Sequence, residues 1–249
     1  MDASPTATIA IAATFFVAGM VKGITGMGLP TIAMGVLGLF MPPIAAASLL
    51  VIPSFVTNFW QLVAGPNLAA LISRLWPMMF GIAIGTVAGS RLLISGSTKG
   101  TTVGLGAALA AYAVLGLLLR PVAVPNRVER RLSPFIGLAT GLITGGTGVL
   151  VIPAVPYLQA LGLAKDDLVQ ALGLSFTVST MALAIGLASG GAFQGGSIVA
   201  SALSVVPAVG GMWLGTAIRG GISVASFRRW FLICLALLGL ELIVRALIR

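Results

Sequence analysis

Apolar residues run along this chain in eight long blocks, separated by short clusters of charges and turn residues. The blocks cover roughly Thr8–Phe40, Ile44–Val63, Leu75–Ile94, Thr101–Leu119, Leu132–Leu163, Leu168–Ala188, Ile198–Ile218 and Phe227–Leu247. Six of them are near 20 residues, the length at which a helix crosses a hydrocarbon core of about 30 Å. The first and fifth are longer, about 32 residues each, and both carry an interruption. In the first, Lys22-Gly23-Ile24-Thr25-Gly26-Met27-Gly28-Leu29-Pro30 separates two apolar arms; in the fifth, Gly141-Leu142-Ile143-Thr144-Gly145-Gly146-Thr147-Gly148 does the same. Arms of about 12 residues rise only about 18 Å as helix, too short to span. The pattern predicts a broken helix or a re-entrant hairpin at each place.

The same order, one broken segment followed by three plain spans, occurs twice, which marks an internal repeat. Pro77, Gly81, Gly85 and Thr86 return as Pro207, Gly211, Gly215 and Thr216 at an offset of 130, and Gly19 and Gly23 return as Gly137 and Gly141 at an offset of 118. The boundaries follow: a first transmembrane repeat over 1–122, a basic linker over 123–131 and a second repeat over 132–249. The expected fold is an all-α polytopic membrane protein of two homologous halves.

Composition sharpens this picture. Only 8% of the 249 residues are charged and the mean hydropathy is +1.13. A soluble domain carries about 25% charged residues, so a water-soluble fold is excluded. With no histidine and one cysteine, Cys234, in an apolar run, a disulfide framework, a zinc site and a His-based catalytic pair cannot be assembled. No metal site, no cofactor and no enzymatic activity are expected. The 14 Lys and Arg residues sit mostly between apolar blocks, where they mark membrane faces and not a nucleic-acid surface. The N-terminal Met1-Asp2-Ala3-Ser4-Pro5 lacks a positive region, which argues against a cleaved signal peptide.

Charge also bears on topology. If each broken segment returns to its own face, the second half is inverted. Arg74, Arg120, Arg127, Arg130, Arg131, Lys165, Arg219, Arg228 and Arg229 then share one face, and Arg91, Lys99, Arg245 and Arg249 the other. Full spans throughout would divide the same residues almost evenly. The positive-inside rule favours inverted repeats, each with one broken or re-entrant helix and three spanning helices, with the basic linker cytoplasmic and both termini outside.

Broken segments in corresponding positions of two halves point to a transporter site. Irregular backbone at membrane depth must be buried in protein or line a wet cavity. Glycines admit close approach to a ligand, and a helix restarting after a break aims N–H groups at an anion. The candidate binding residues at the first break are Lys22, Gly23, Thr25, Gly26 and Gly28; those at the second are Thr144, Gly145, Gly146, Thr147 and Gly148. Lys22 is the one cation deep in an apolar block, and such a group usually faces a cavity or a partner. The competing reading of the glycines is close helix packing, which Gly81-xxx-Gly85-xxx-Gly89 fits best. Asn58 and Gln61, three apart on one helix face, and Ser175 on the corresponding block of the second half, complete the set. Glu241, inside a span, is expected to pair with Arg245 four residues on. No Walker A pattern is present, so the chain itself hydrolyses no ATP.

The glycine-rich break Gly19-x-x-Lys22-Gly23-x-x-Gly26-x-Gly28, repeated as Gly141-x-x-x-Gly145-Gly146-x-Gly148 with Pro153 beyond, resembles the TauE/SafE sulfite-exporter family of permeases. The resemblance implies an inner-membrane permease for sulfite, a sulfonate or another small organic anion. The function expected is a secondary transporter of a small anion, working by alternating access of the two repeats. A passive anion channel and a non-transporting membrane scaffold are the competing classes. The expected partners are the anionic substrate and the lipid bilayer, with no nucleic acid; a coupling ion (Na+ or H+) and a homo-oligomer stay open.

Overall fold

The computed structural model describes residues 5–118, 123–193 and 195–248. Met1–Ser4, Arg120, Arg249 and the 122/123 boundary proposed between repeat and linker lie at or beyond the edges of those segments. Among the described residues the chain is helical throughout, without strands. The first half comprises α1 (Pro5–Thr25), α2 (Leu29–Leu37), α3 (Pro43–Val63), α4 (Leu68–Ser95) and α5 (Thr98–Leu118). The second comprises α6 (Asn126–Thr147), α7 (Ala154–Ala160), α8 (Lys165–Ser189), α9 (Gly195–Leu203), α10 (Val205–Ile218) and α11 (Val224–Ile248). Among the described residues, seven segments are long and apolar enough to cross a membrane: α1, α3, α4, α5, α8, the α9–α10 unit and α11. The chain is therefore a multi-pass membrane protein.

Two expectations are corrected here. First, α1 is not a short arm: its 21 residues form one helix of about 31 Å, and the chain breaks only after it, at Gly26–Gly28. Gly26 (φ +78°) and Gly28 (φ +109°) adopt left-handed conformations that a side chain disfavours. Second, α6 continues through Gly141, Gly145 and Gly146, and the second break falls later, from Gly148 (φ +73°) to Pro153. The glycines inside α6 serve packing. A β-carbon on Gly141 would stand 2.4 Å from the Ile82 carbonyl oxygen, and one on Gly145 2.3 Å from that of Thr86. α6 also begins at Asn126, inside the stretch expected to be linker.

The helices pack in a reciprocal pattern. α1 lies along α10 in the same direction, and α6 lies along α4 in the same direction. A β-carbon on Gly19 would meet the Ala208 carbonyl oxygen at 2.1 Å, and one on Gly137 would meet that of Met78 at the same 2.1 Å. α3 crosses α8 in the opposite direction: Leu62 abuts Gly173, while Asn58 reaches Thr180. α5 and α11 are likewise antiparallel. A β-carbon on either Gly106 or Gly239 would stand 2.6 Å from the other's carbonyl oxygen. These backbone approaches let helices associate where lipid offers no hydrophobic drive.

The two ends of the bundle differ in charge. At one, Arg74 holds the buried Glu129 with two hydrogen bonds, Nε to Oε1 at 2.7 Å and Nη2 to Oε2 at 2.8 Å, joining the second turn of α4 to the first turn of α6. Lys165, Arg219, Arg228 and Arg229 lie at this end too. All four tryptophans, Trp60, Trp76, Trp213 and Trp230, are within about nine residues of it along their helices and are 56–74% exposed, the placement of an interfacial aromatic belt. At the other end Lys99 donates to the Leu247 carbonyl, and Arg245 to the Leu39 carbonyl at 2.7 Å. The expected Glu241–Arg245 pair does not form, because Arg245 turns instead to the end of α2; Glu241 is exposed on α11 and makes no ion pair among the described residues.

Candidate functional site

α1 turns Thr14, Phe15, Ala18, Gly19, Val21 and Lys22 towards the protein interior. Lys22 is 3% exposed. Its Nζ donates to Thr57 Oγ1 at 3.2 Å and to Asn58 Oδ1. The Asn58 amide nitrogen in turn reaches Thr180 Oγ1 at 3.5 Å across the α3/α8 crossing. Thr57 is oriented by donating to the Pro53 carbonyl at 2.8 Å. Every acceptor that holds the ammonium is therefore neutral. A Lys at the bilayer centre costs about 2.5–3.5 kcal/mol on insertion scales, and neutral oxygens solvate the charge without cancelling it.

The break beside Lys22 is tied down by two glutamines. Gln61 donates to the Gly26 carbonyl at 2.9 Å and to the Val169 carbonyl at 2.8 Å, which joins the open turn after α1 to the start of α8. Gln170 donates to the Leu62 and Gly65 carbonyls, both at 2.8 Å, and accepts from the Asn67 N–H at 3.0 Å. Thr25 closes the C-terminus of α1 by donating to the Val21 carbonyl at 2.9 Å, and accepts from the Met27 N–H.

Between these elements lies a cavity of about 320 Å³, lined by Lys22, Gly23, Gly26, Gln61 and Gln170, with Trp60, Asp166, Thr216 and Arg219 among its other walls. It lies at the basic end of the bundle. Lys22 and Arg219 give it two positive groups against the single carboxylate of Asp166, so its charge favours an anion. Of the residues singled out in the sequence, Lys22, Gly23, Gly26 and Gln61 line it, and Asn58 holds Lys22 from behind. Thr25 and Gly28 shape the turn without lining it. The first turn of α2 is buried at Leu29 and Thr31 and lacks an N–H at Pro30, so the restarting helix presents no row of donors to the cavity.

Thr144, Gly145, Gly146, Thr147 and Gly148 gather elsewhere, at the second break, and do not line this cavity. Thr144 donates to the Val149 carbonyl at 3.2 Å and Thr147 to that of Ile143 at 2.6 Å. A β-carbon on Gly146 would meet Leu92 at 3.8 Å and the Gly89 carbonyl oxygen at 4.0 Å, and one on Gly148 would meet Met34. A single cradle made from both breaks is not formed here. Ser175 is fully buried and its hydroxyl has no hydrogen-bond partner among the described residues. Sequence reasoning missed Arg219, Asp166 and Thr216 as cavity walls. For Thr216 a signal existed, since it repeats Thr86 at the offset of 130 and sits one helical turn past Met212. Arg219 and Asp166 look from sequence like ordinary end-of-helix charges.

The family model of the sulfite exporter TauE/SafE matches residues 11–242, nearly the whole chain. Comparisons with curated proteins and with solved structures return no match. The matched range takes in both breaks, the buried lysine and all but the ends of the helical bundle, and the chain belongs to the TauE/SafE family of membrane transporters.

Proposed function

We propose that this protein is a secondary transporter that carries a small anion, a sulfur oxyanion, a sulfonate or a similar organic anion, across the cytoplasmic membrane. The observation that carries the reading is the Lys22 ammonium, buried on neutral oxygens beside a cavity with a net positive lining. In this reading the anion enters past Arg219 at the basic end and exchanges water for the one N–H of the Lys22 ammonium that Thr57 and Asn58 leave free.

The repeat geometry supports an alternating-access cycle between inverted halves. Counted from the breaks, the offset between halves is 122: the Gly26 N–H donates to the Lys22 carbonyl and the Gly148 N–H to that of Thr144, each at 2.7 Å. At that offset Asn58 corresponds to Thr180, and the two are hydrogen-bonded to each other, so a pseudo-two-fold axis runs through the ammonium's own support. The antiparallel α3/α8 and α5/α11 pairs agree with inversion. Lys22 and Gln61 both reach from the ends of α1 and α3, which leaves α2 as the returning leg of a re-entrant hairpin. The counterparts of Gln61 and Gly65 are Leu183 and Leu187, both buried. The structure then corresponds to the state open towards the basic end, with its mate across the axis packed shut. The positive-inside rule places the basic end in the cytoplasm.

The test is uptake of radiolabelled sulfite, taurine, sulfoacetate and acetate into proteoliposomes, under imposed Na+ and proton gradients. Saturable uptake that accumulates one anion above its outside concentration, driven by one gradient, is expected. Non-saturating flux that only equalises concentrations would replace the transporter by a channel, and no flux with intact anion binding would leave a membrane scaffold.

A further inference from the structure

The seam between α5 and α11 holds a cavity at each of its ends, and each cavity carries two cations. At the end away from the tryptophans, Lys99 and Arg245 share a cavity of about 410 Å³, but both donate to backbone carbonyls at helix ends. At the opposite end a cavity of about 590 Å³ is lined by Arg228 and Arg229 above a wall of Gly116, Leu117, Leu232 and Ile233. Here Arg228 makes one long hydrogen bond, to Gln159 Oε1 at 3.4 Å, and Arg229 has no hydrogen bond or ion pair among the described residues. Trp230, 67% exposed, stands beside them at the level of the aromatic belt.

We propose that this second cavity is a binding site for one anionic phospholipid, with Arg228 and Arg229 on the phosphate and an acyl chain along the Gly116–Leu232 wall. Three features select that occupant. The cations sit at the membrane boundary, where basic pockets between transmembrane helices take lipid headgroups. The wall below them is wholly apolar, which suits a chain and not a free anion. Gly116 brings α5 close to α11, since a β-carbon there would lie 2.9 Å from Leu232, and the groove runs beside that close approach. The site is separate from the Lys22 cavity and does not depend on what is transported.

Native mass spectrometry of the full chain, titrated with phosphatidylglycerol or phosphatidylcholine, tests this. One phosphatidylglycerol should be retained in preference to phosphatidylcholine. Arg229→Gln should weaken that retention about fivefold, and the Arg228→Gln/Arg229→Gln pair about thirtyfold, at the usual strength of a juxtamembrane cation. Lys99→Gln/Arg245→Gln should leave it unchanged. Equal retention of both lipids, or unchanged retention in the double variant, overturns the proposal. So does displacement of phosphatidylglycerol by millimolar inorganic phosphate, which would reveal a plain anion site. If the double variant loses helicity by circular dichroism, the Arg229→Gln result decides, because Arg229 supports no described hydrogen bond.

Discussion

The two breaks in this bundle are built alike and do different things. After α1 and after α6 alike, a threonine closes the helix by bonding back one turn, a glycine takes the left-handed conformation, and the chain turns into a short helix. At the first break the residue four before that glycine is Lys22, with Thr57, Asn58 and Gln61 around it. At the second it is Thr144, which satisfies itself on the Val149 carbonyl. The backbone device is thus shared, and the buried charge belongs to one of the two breaks alone.

The two breaks differ most at Lys22. Lys22→Gln should lower anion affinity at least about thirtyfold, the scale for removing one member of a buried charge contact, whereas Thr144→Ser should leave affinity unchanged. Anion-dependent thermal stabilisation of the purified protein, with sulfite, sulfate, taurine and chloride, reads both. Asn58→Asp is a sharper test because it leaves the ammonium bonded but cancels its charge. Anion stabilisation should disappear while the melting temperature without anion stays level or rises. Loss of both together would mean that Asn58 matters for folding and not for charge.

Further differences are smaller and concern packing. Gly145→Ala should destabilise by about 1–3 kcal/mol, the range for overpacking, since its β-carbon would meet backbone of α4 at 2.3 Å. Gly146→Ala, one residue on, should be neutral or slightly stabilising, because its nearest neighbour, Leu92, stands at an ordinary 3.8 Å and alanine favours helix. Thermal melts in detergent compare them. The smallest effect separates the break glycines. Gly26→Ala should cost about 1 kcal/mol for its left-handed backbone alone, and Gly148→Ala more, since Met34 must also move aside from 2.7 Å.

Much of this architecture is legible in the order of residues alone. Hydropathy reveals a membrane bundle, and the lone lysine in an apolar block is found buried against a cavity. The position of the second break is not legible, for a physical reason: glycine serves both a turn and a close helix contact. The spacing Gly137-xxx-Gly141-xxx-Gly145 is the same ladder as Gly81-xxx-Gly85-xxx-Gly89, and the two ladders face each other. Only the conformation of Gly148 distinguishes the place where the helix stops. Likewise Glu241 and Arg245 sit at ideal helical spacing, yet Arg245 finds a carbonyl 206 positions away. Partners supplied by distant segments are what one-dimensional spacing cannot show.

The tryptophans give the molecule a one-sided optical signal. Since all four indoles lie towards the basic end and are exposed, nearly all the ultraviolet emission of this protein originates in one leaflet. A brominated lipid confined to that leaflet would quench it, and the same lipid in the opposite leaflet would leave it bright. Vesicle preparations could therefore be sorted by insertion direction from emission alone, without a tag or a label. Trp60, on the cavity wall, would add a component that changes when an anion settles beside Lys22.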